Sequence, residues 1–159
     1  MTTTGLGYDI HRFAPGRPLI LGGVEIPHDR GLEGHSDADV LSHAIADAVL
    51  GAIGEQDIGH HFPNTDPSIR GMSSLLILER AAVLVRARGA RLNNIDATLI
   101  AEEPKIGPHV FPMRERIAAA LGLPAARVAV KATTNEGLGA IGRGEGIAAM
   151  AVASVELPS

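Results

Sequence analysis

The stretch of residues 34–43, Gly-His-Ser-Asp-Ala-Asp-Val-Leu-Ser-His, places two imidazoles and two carboxylates at the start of an apolar segment. Ser36 stands three residues before Asp39, a spacing typical of a capped helix N-terminus. Apolar side chains then recur at helical spacing, which predicts an amphipathic helix. In that helix Asp39, His43 and Asp47 share one face, so we expect a carboxylate one turn away on each side of the imidazole. The stretch therefore predicts a helix that carries a metal ligand, with a second shell of carboxylates around it.

The loop before this helix, residues 31–34, delivers His35 and Ser36 to the predicted helix start. Unpaired backbone N–H groups and the helix dipole favour an anion at such a start, and phosphate is the candidate. A plain N-cap is the alternative role for Ser36.

Residues 6–13 read as a strand, in which Asp9 and His11 project from the same side. Taken alone, this pair is equally consistent with two solvated groups at a surface strand edge. Together with His43 it makes the set of three protein ligands found in catalytic zinc sites, with the fourth position open for substrate. Because the chain has no cysteine, any metal must be held by nitrogen and oxygen ligands.

The composition narrows the class of protein. A length of 159 residues with 45% hydrophobic content predicts one globular domain over residues 1–159. The net charge of -4, without a run of Lys or Arg, argues against nucleic acid or an anionic membrane surface as a partner. No run of about 18 apolar residues and no signal-peptide pattern is present, so we expect a soluble, cytoplasmic protein.

Further along the chain, Thr133, Thr134 and Glu136 combine two hydroxyls and a carboxylate at the end of a predicted strand. This set suits phosphate oxygens and a hard divalent cation, although an ordinary polar turn has a similar composition. A glycine-rich loop then surrounds Arg143, whose guanidinium is a fork-shaped phosphate donor. A transition-metal site, an anion site and a second cation site together point to phosphoryl chemistry.

Six motifs carry a resemblance to a known family. In chain order they are Gly7-Tyr8-Asp9-Ile10-His11, Gly34 to Val40 with His43, Asp57-Ile58-Gly59, Pro104-Lys105, Lys131 to Glu136, and Gly142 to Gly146. Nearly end to end, the chain resembles the 2-C-methyl-D-erythritol 2,4-cyclodiphosphate synthases of the non-mevalonate isoprenoid pathway. Because all six motifs occur in order within one chain, the resemblance is specific.

The resemblance implies an α/β (α+β sandwich) fold with a mixed β-sheet and helices on one side. It also implies a homotrimer with active sites at the subunit interfaces. The implied reaction is intramolecular: the 2-phosphate of 4-diphosphocytidyl-2-C-methyl-D-erythritol 2-phosphate attacks the β-phosphorus and expels CMP. Such an enzyme is a phosphorus-oxygen lyase, and no protein nucleophile is required.

The resemblance also implies roles for individual residues. A zinc ion, or another divalent transition metal, would lie on Asp9, His11 and His43, and Glu136 would hold Mg²⁺ or Mn²⁺ on the substrate diphosphate. The substrate arm would contact His35, Ser36, Asp57, Gly59, Phe62 and Asn64. The cytidine and the phosphates would contact Ala101, Pro104, Lys105, Ile106, Thr133 and Thr134, with His35 and Thr134 stabilising the transition state.

Arg143 would line a cavity on the trimer axis that takes an isoprenoid phosphate or a similar ligand. The chain departs from the family pattern at a few positions near the substrate. Glu102 and Glu103 add two carboxylates beside the nucleotide pocket, so we expect weaker binding of an anionic nucleotide there.

Three alternatives stay open at this stage. The chain could be a zinc-dependent phosphohydrolase, in which metal-bound water attacks an external phosphate ester. It could be a non-catalytic trimeric binding module that senses an isoprenoid phosphate through the Arg143 loop. It could also use His11, His35 and His43 as hydrogen-bonded structural residues without a metal.

Overall fold

The computed structural model describes residues 1–159 and contains seven strands. They are β1 (Thr2–Ala14), β2 (Leu19–Leu21), β3 (Val24–Ile26), β4 (Gly31–Leu32), β5 (Arg91–Ile100), β6 (Val128–Thr133) and β7 (Gly146–Glu156). Five of them form one sheet in the order β4-β1-β7-β5-β6, while β2 and β3 form a separate hairpin. The pair β5 and β6 is parallel and every other pair is antiparallel. The predicted mixed sheet is therefore confirmed.

The α-helices are α1 (Val40–Ala52), α2 (Ile58–His61), α3 (Leu75–Ala87), α4 (Val110–Leu121) and α5 (Gly139–Gly142). Helix α1 packs directly on β1 and β7 and touches α3, which in turn packs on α4. The apolar spacing of residues 73–88 and 110–121 predicts two helices, and α3 and α4 lie there with ends within two residues of that prediction. None of the helices combines the length and the apolar character that a membrane span requires.

Two glycines let β1 and α1 approach backbone to backbone. A Cβ atom on Gly7 would lie 1.8 Å from Ala44 O, and one on Gly5 would lie 2.0 Å from Ala48 O. Two residues of strand advance about 6.7 Å, and four residues of helix advance about 6 Å. Two residues of β1 therefore match one turn of α1 in length. The next residue on this side of β1, Asp9, lies opposite the start of α1.

The predicted N-cap of α1 is wrong by three residues. The helix begins at Val40 and its cap is Asp39, whose Oδ1 accepts a hydrogen bond from Ser42 N at 3.0 Å. Ser36 instead accepts a bond from Ala38 N at 3.2 Å, outside the helix. His43 consequently lies in the first turn of α1, whereas a helix capped by Ser36 would place it two turns in.

The Asp39 carboxylate is fully buried and also accepts hydrogen bonds from Gly22 N at 2.9 Å and Gly23 N at 2.8 Å. A buried carboxylate needs such donors, and here the helix terminus and the hairpin turn supply them together. The helical spacing predicts that Asp39 accompanies the His43 ring, but the Asp39 carboxylate makes its hydrogen bonds to Gly22, Gly23 and Ser42 instead. This carboxylate caps the N-terminus of α1, and the phosphate predicted beside His35 and Ser36 stays a prediction.

The side of the sheet away from α1 is uncovered in the single chain. Its apolar side chains remain between 44% and 65% exposed, and we call Leu6, Tyr8, Ile10, Met150 and Val152 the open sheet face. Their neighbours along the strands, such as Gly7 and Ala151, are buried under α1. The sheet thus has one face in the core and one apolar face without a partner.

Candidate active site

Asp9, His11 and His43 converge at the point where β1 meets the first turn of α1. Asp9 Oδ2 lies 2.9 Å from His11 Nε2 and 3.1 Å from His43 Nδ1. One ligand atom from each residue lies within 4.8 Å of the other two. Ligand atoms of a tetrahedral zinc ion, each about 2.0 to 2.2 Å from the metal, lie about 3.3 Å from one another. The three side chains therefore fit a divalent transition metal in both chemistry and spacing.

The hydrogen bond on the far side of the His11 ring supports this fit. His11 Nδ1 lies 2.7 Å from Glu33 O, and because a carbonyl oxygen can only accept, Nδ1 must carry hydrogen. In the neutral ring, Nε2 then directs a lone pair toward Asp9. A lone pair and a carboxylate that face each other need a cation between them, which is either a proton or a metal ion.

The pKa values of this group show the same coupling. Burial alone would raise the pKa of Asp9, but hydrogen bonds from His11 and His43 outweigh burial and lower it to about 2. Burial alone would lower the pKa of His11, but its hydrogen bond and charge interaction with Asp9 raise it above the usual value. The site thus favours a carboxylate with positive charge beside it.

The metal group opens into a cavity of about 290 Å³. All the residues that the resemblance implies for the substrate arm line this cavity, namely His35, Ser36, Asp57, Gly59, Phe62 and Asn64. They come from the loop before α1 and from the segment that contains α2, which begins at its N-cap Asp57. The structure therefore brings these six residues together with the three metal-ligand candidates.

Two further residues shape this cavity: Asp47, which the helical spacing predicts one turn from His43, and Arg17, to which no sequence pattern points. Asp47 lines the wall, accepts a hydrogen bond from Ile58 N at 2.9 Å and so joins α1 to α2. Burial raises the pKa of Asp47, and the nearby Asp57 charge adds to that effect. Arg17 donates to Gly34 O and, at 2.6 Å, to Ser36 O, which fixes the backbone on both sides of His35. The helical spacing from His43 is the available signal for Asp47, whereas Arg17 has none.

The predicted nucleotide and phosphate residues lie elsewhere on the chain, at the carboxyl ends of β5 and β6. Ala101 follows β5, and its N–H donates to Thr133 O at 2.9 Å, so the two ends are tied together. None of Ala101, Pro104, Lys105, Ile106, Thr133 and Thr134 lines the metal cavity of the same chain. The single chain therefore carries two separate clusters of candidate residues.

Glu136 follows β6 with a left-handed backbone, at φ 53°, which is uncommon for a residue with a side chain. The turn is held by Glu102, whose Oε1 accepts hydrogen bonds from Asn135 N at 2.9 Å and Gly137 N at 3.2 Å. From the sequence, the charge of Glu102 is expected to weaken nucleotide binding. In the structure that carboxylate is engaged by the backbone of the turn that presents Glu136.

Arg143 lies at a third place, beside a cavity of about 670 Å³ that Ile10, Phe13 and Arg30 also line. Its Nε donates to Glu145 Oε2 at 2.6 Å. The guanidinium is thus partly neutralised by a carboxylate of its own loop. Ile10, from the open sheet face, connects this cavity to the uncovered side of the sheet.

Comparison with known proteins shows relatives that match nearly the whole chain. The family model described as the YgbB family matches residues 2–156. A 2-C-methyl-D-erythritol 2,4-cyclodiphosphate synthase from Akkermansia muciniphila is 60% identical over 156 residues, which cover 98% of this chain and 92% of the relative. The enzyme of the same name from Symbiobacterium thermophilum is 61% identical over 151 residues, which cover 95% of this chain and 96% of the relative.

A solved structure of 2C-methyl-D-erythritol-2,4-cyclodiphosphate synthase in a CDP-bound form superimposes with a TM-score of 0.87. It is 40% identical, and the match covers 96% of this chain and 99% of the other. The motifs, the fold and the relatives thus agree along the whole length of the match. The chain belongs to the family of 2-C-methyl-D-erythritol 2,4-cyclodiphosphate synthases.

Proposed function

We propose that this chain converts 4-diphosphocytidyl-2-C-methyl-D-erythritol 2-phosphate to 2-C-methyl-D-erythritol 2,4-cyclodiphosphate and CMP. An oxygen of the 2-phosphate forms a bond to the β-phosphorus, and the bond from that phosphorus to the CMP oxygen breaks. CMP leaves with the electron pair, so the enzyme is a phosphorus-oxygen lyase of isoprenoid precursor biosynthesis. The cytoplasmic location expected from the sequence stays a prediction.

One observation carries this proposal: the Asp9, His11 and His43 group opens into the same cavity as Gly59 and five polar or aromatic residues, which come from two segments of the chain. A cyclisation needs a site that folds a flexible substrate so that its two ends meet. Holding two reacting groups in attack geometry contributes up to about 7 to 11 kcal/mol in favourable cases. A cavity lined from two loops, with charged groups at one end, supplies that kind of orientation.

Asp9, His11 and His43 would hold zinc, and Glu136 would hold Mg²⁺ or Mn²⁺. When bound, these cations neutralise the negative charge that spreads over the transferring phosphoryl group. His35 and Thr134 would donate hydrogen bonds to phosphate oxygens in the transition state. Ser36, Asp57 and the neighbouring cavity residues would orient the methylerythritol arm.

We propose that the working enzyme is a homotrimer. On one chain the metal cavity and the nucleotide cluster near Ala101 and Thr133 are separate, so a complete site needs a cluster from each of two copies. The open sheet face gives these copies an apolar surface to bury, and burial of apolar area favours association. Three sheets around one axis would also bring three copies of Arg143 to a shared axial cavity, suited to an isoprenoid phosphate.

The phosphohydrolase alternative is not favoured, because the relatives that match nearly end to end are cyclodiphosphate synthases. The two activities also differ in their products. A hydrolase would use water as the nucleophile and would release linear phosphates, whereas a cyclisation retains both phosphates in one ring.

The test is phosphorus NMR of the purified protein with 4-diphosphocytidyl-2-C-methyl-D-erythritol 2-phosphate, zinc and magnesium. An EDTA-treated sample and the variant His43→Ala serve as controls. We expect CMP and a cyclic diphosphate only with metal and wild-type protein, and a His43→Ala circular dichroism spectrum like that of wild type. Linear phosphate products beside CMP would contradict the cyclisation and support the phosphohydrolase. Unchanged substrate would contradict both enzymes and support the non-catalytic binding module.

A further inference from the structure

The second nitrogen of the His43 ring faces a chain of two buried or half-buried side chains that the proposed reaction does not use. His43 Nε2 lies 2.8 Å from Ser74 Oγ, and Ser74 Oγ lies 2.5 Å from Asp37 Oδ1. Ser74 is fully buried at the N-cap of α3, 31 residues away from His43 in the chain. Helix α1, the N-terminus of α3 and the loop before α1 therefore meet behind the metal-ligand candidates.

The direction of these hydrogen bonds follows from the partners of Asp37. Its Oδ1 also faces Asp39 N at 3.1 Å, and its Oδ2 faces Ser74 N at 3.0 Å. An ionised carboxylate has no hydrogen to donate, so Asp37 accepts all of these hydrogen bonds. The bond between Ser74 Oγ and Asp37 Oδ1 therefore uses the single hydroxyl hydrogen of Ser74. Ser74 Oγ can then only accept from His43, so Nε2 must carry hydrogen.

We propose that Ser74 and Asp37 form a positioning relay that sets the tautomer and the ring orientation of His43 for metal binding. With hydrogen on Nε2, the lone pair of the neutral ring resides on Nδ1, the atom that faces Asp9 at 3.1 Å. The relay thus does for His43 what Glu33 O does for His11. Both ring nitrogens that face Asp9 are left free to bind a metal ion.

The backbone around the relay holds it in place. Asp37 N donates to Met72 O at 3.0 Å, and Gly71 N donates to His35 O at 2.8 Å. The segment that leads into α3 is therefore joined by hydrogen bonds to the loop that leads into α1. Ser36 Oγ also lies near His43 Nε2, but at 3.3 Å, and it already accepts from Ala38 N. Ser74 is accordingly the principal acceptor.

This inference rests on the proposed metal site, and its test is the zinc affinity of the purified protein, measured by competition with a chromophoric chelator. Hydrogen-bond partners of metal-bound histidines contribute about 10- to 100-fold to metal affinity. We expect a loss of that size in Ser74→Ala, which removes the acceptor for His43. We expect a similar loss in Asp37→Ala, which removes the acceptor for the Ser74 hydroxyl, so that this hydroxyl is free to donate to His43 Nε2 and move the ring hydrogen to Nδ1.

The matched control is Ser42→Ala. Ser42 is fully buried on α1 next to His43 and donates to Asp39 Oδ2 at 2.8 Å, so its loss removes a buried hydrogen bond without touching the His43 ring. Wild-type zinc affinity is expected for this variant. A cobalt-substituted sample adds a second readout, since its visible absorption bands report the ligand geometry and should change in Ser74→Ala but not in Ser42→Ala.

The possible outcomes separate the relay from the metal site itself. Wild-type protein that binds no zinc would overturn the proposed metal site and the relay with it. Wild-type protein that binds zinc, with a folded Ser74→Ala variant whose affinity is within about twofold of it, would overturn the relay alone. If Ser74→Ala does not fold, Asp37→Ala decides by the same criterion. An equal loss in Ser42→Ala would reduce the effect to general destabilisation.

Discussion

The Glu102 carboxylate accepts a hydrogen bond from the backbone N–H of Asn135 at 2.9 Å, and the same oxygen accepts one from Gly137. These two bonds bracket Glu136 and its left-handed backbone. A backbone in that region costs about 1 to 3 kcal/mol and needs support from its surroundings. We therefore predict that Glu102→Ala raises the magnesium concentration for half-maximal activity about tenfold.

The matched control for this prediction is Glu102→Gln, which keeps an acceptor oxygen at the same place and should behave like wild type. Steady-state rates over a magnesium titration compare the three proteins. If Glu102→Gln lost as much as Glu102→Ala, the charge of Glu102 and not its hydrogen bonds would be responsible. Unchanged magnesium titrations in both variants would show that the turn around Glu136 keeps its conformation without the Glu102 hydrogen bonds.

The close contact between β1 and α1 gives a prediction about stability. Gly7→Ala would place a Cβ 1.8 Å from Ala44 O, and because the obstacle is backbone, strand and helix must separate. We expect a loss of about 3 kcal/mol or more in the free energy of unfolding. Since Asp9 and His43 lie next to this contact, zinc affinity should fall as well.

Gly51→Ala is the control for that experiment. Gly51 is an exposed residue of α1, and its Cβ would meet only Gly5 Cα at 3.8 Å, an ordinary contact. Alanine there should leave stability unchanged or raise it by up to about 1 kcal/mol. Urea unfolding of both variants decides, and wild-type stability in Gly7→Ala would mean that the backbone contact is not tight.

The pH dependence of stability tests the environment of Asp47. Burial raises the pKa of Asp47 in the folded chain, so the folded state loses stability relative to the unfolded state as the pH rises from about 4 through that raised pKa. Asp47→Asn does not ionise and keeps an oxygen for Ile58 N. We predict that the variant is more stable than wild type at pH 7 and that the difference disappears below about pH 3.5.

Thermal unfolding of both proteins in EDTA between acidic and neutral pH measures this difference. Titrating groups distant from Asp47 contribute equally to the two proteins, so the difference curve reports this carboxyl together with its charge interaction with neighbours such as Asp57. A difference that grows toward low pH would contradict the prediction, because it would mean that folding lowers the pKa of Asp47.

The open sheet face is tested by a pair of valines with similar exposure. Val152 lies in the middle of β7 and is 44% exposed, whereas Val83 lies on α3 and is 42% exposed. Val152→Glu would place a charge in an interface between copies, and we predict a monomer without synthase activity. Val83→Glu should assemble and react like wild type. Light scattering coupled to gel filtration gives the masses, and trimers in both variants would place the interface elsewhere.

The sequence predicts well those parts of the site that depend on local periodicity. Alternation along β1 puts Asp9 and His11 on one side, and helical spacing puts His43 in a buried helix, so these two patterns are enough to relate the three residues. The resemblance predicts the remaining cavity residues and the fold class. The mixed sheet that the resemblance implies is present.

The parts that the sequence does not predict depend on contacts between distant segments. The cap of α1 is Asp39 and not Ser36 because Gly22 and Gly23 supply donors for a buried carboxylate, and no local pattern reveals that. Ser74 reaches His43 only once α3 packs beside α1. Arg17 binds the backbone around His35 through carbonyl oxygens, which every residue possesses, so the sequence carries no sign of the partner.

Helix α1 has almost no free surface, since eleven of its residues are buried and only Gly51 is exposed. Its sequence must satisfy the sheet on one side, α3 on another and the metal group at its first turn, all at once. Variation that alters substrate preference during evolution is therefore expected to accumulate in the loops over residues 57–72 and 101–106. Directed libraries aimed at new substrates should randomise those loops and leave the helix untouched.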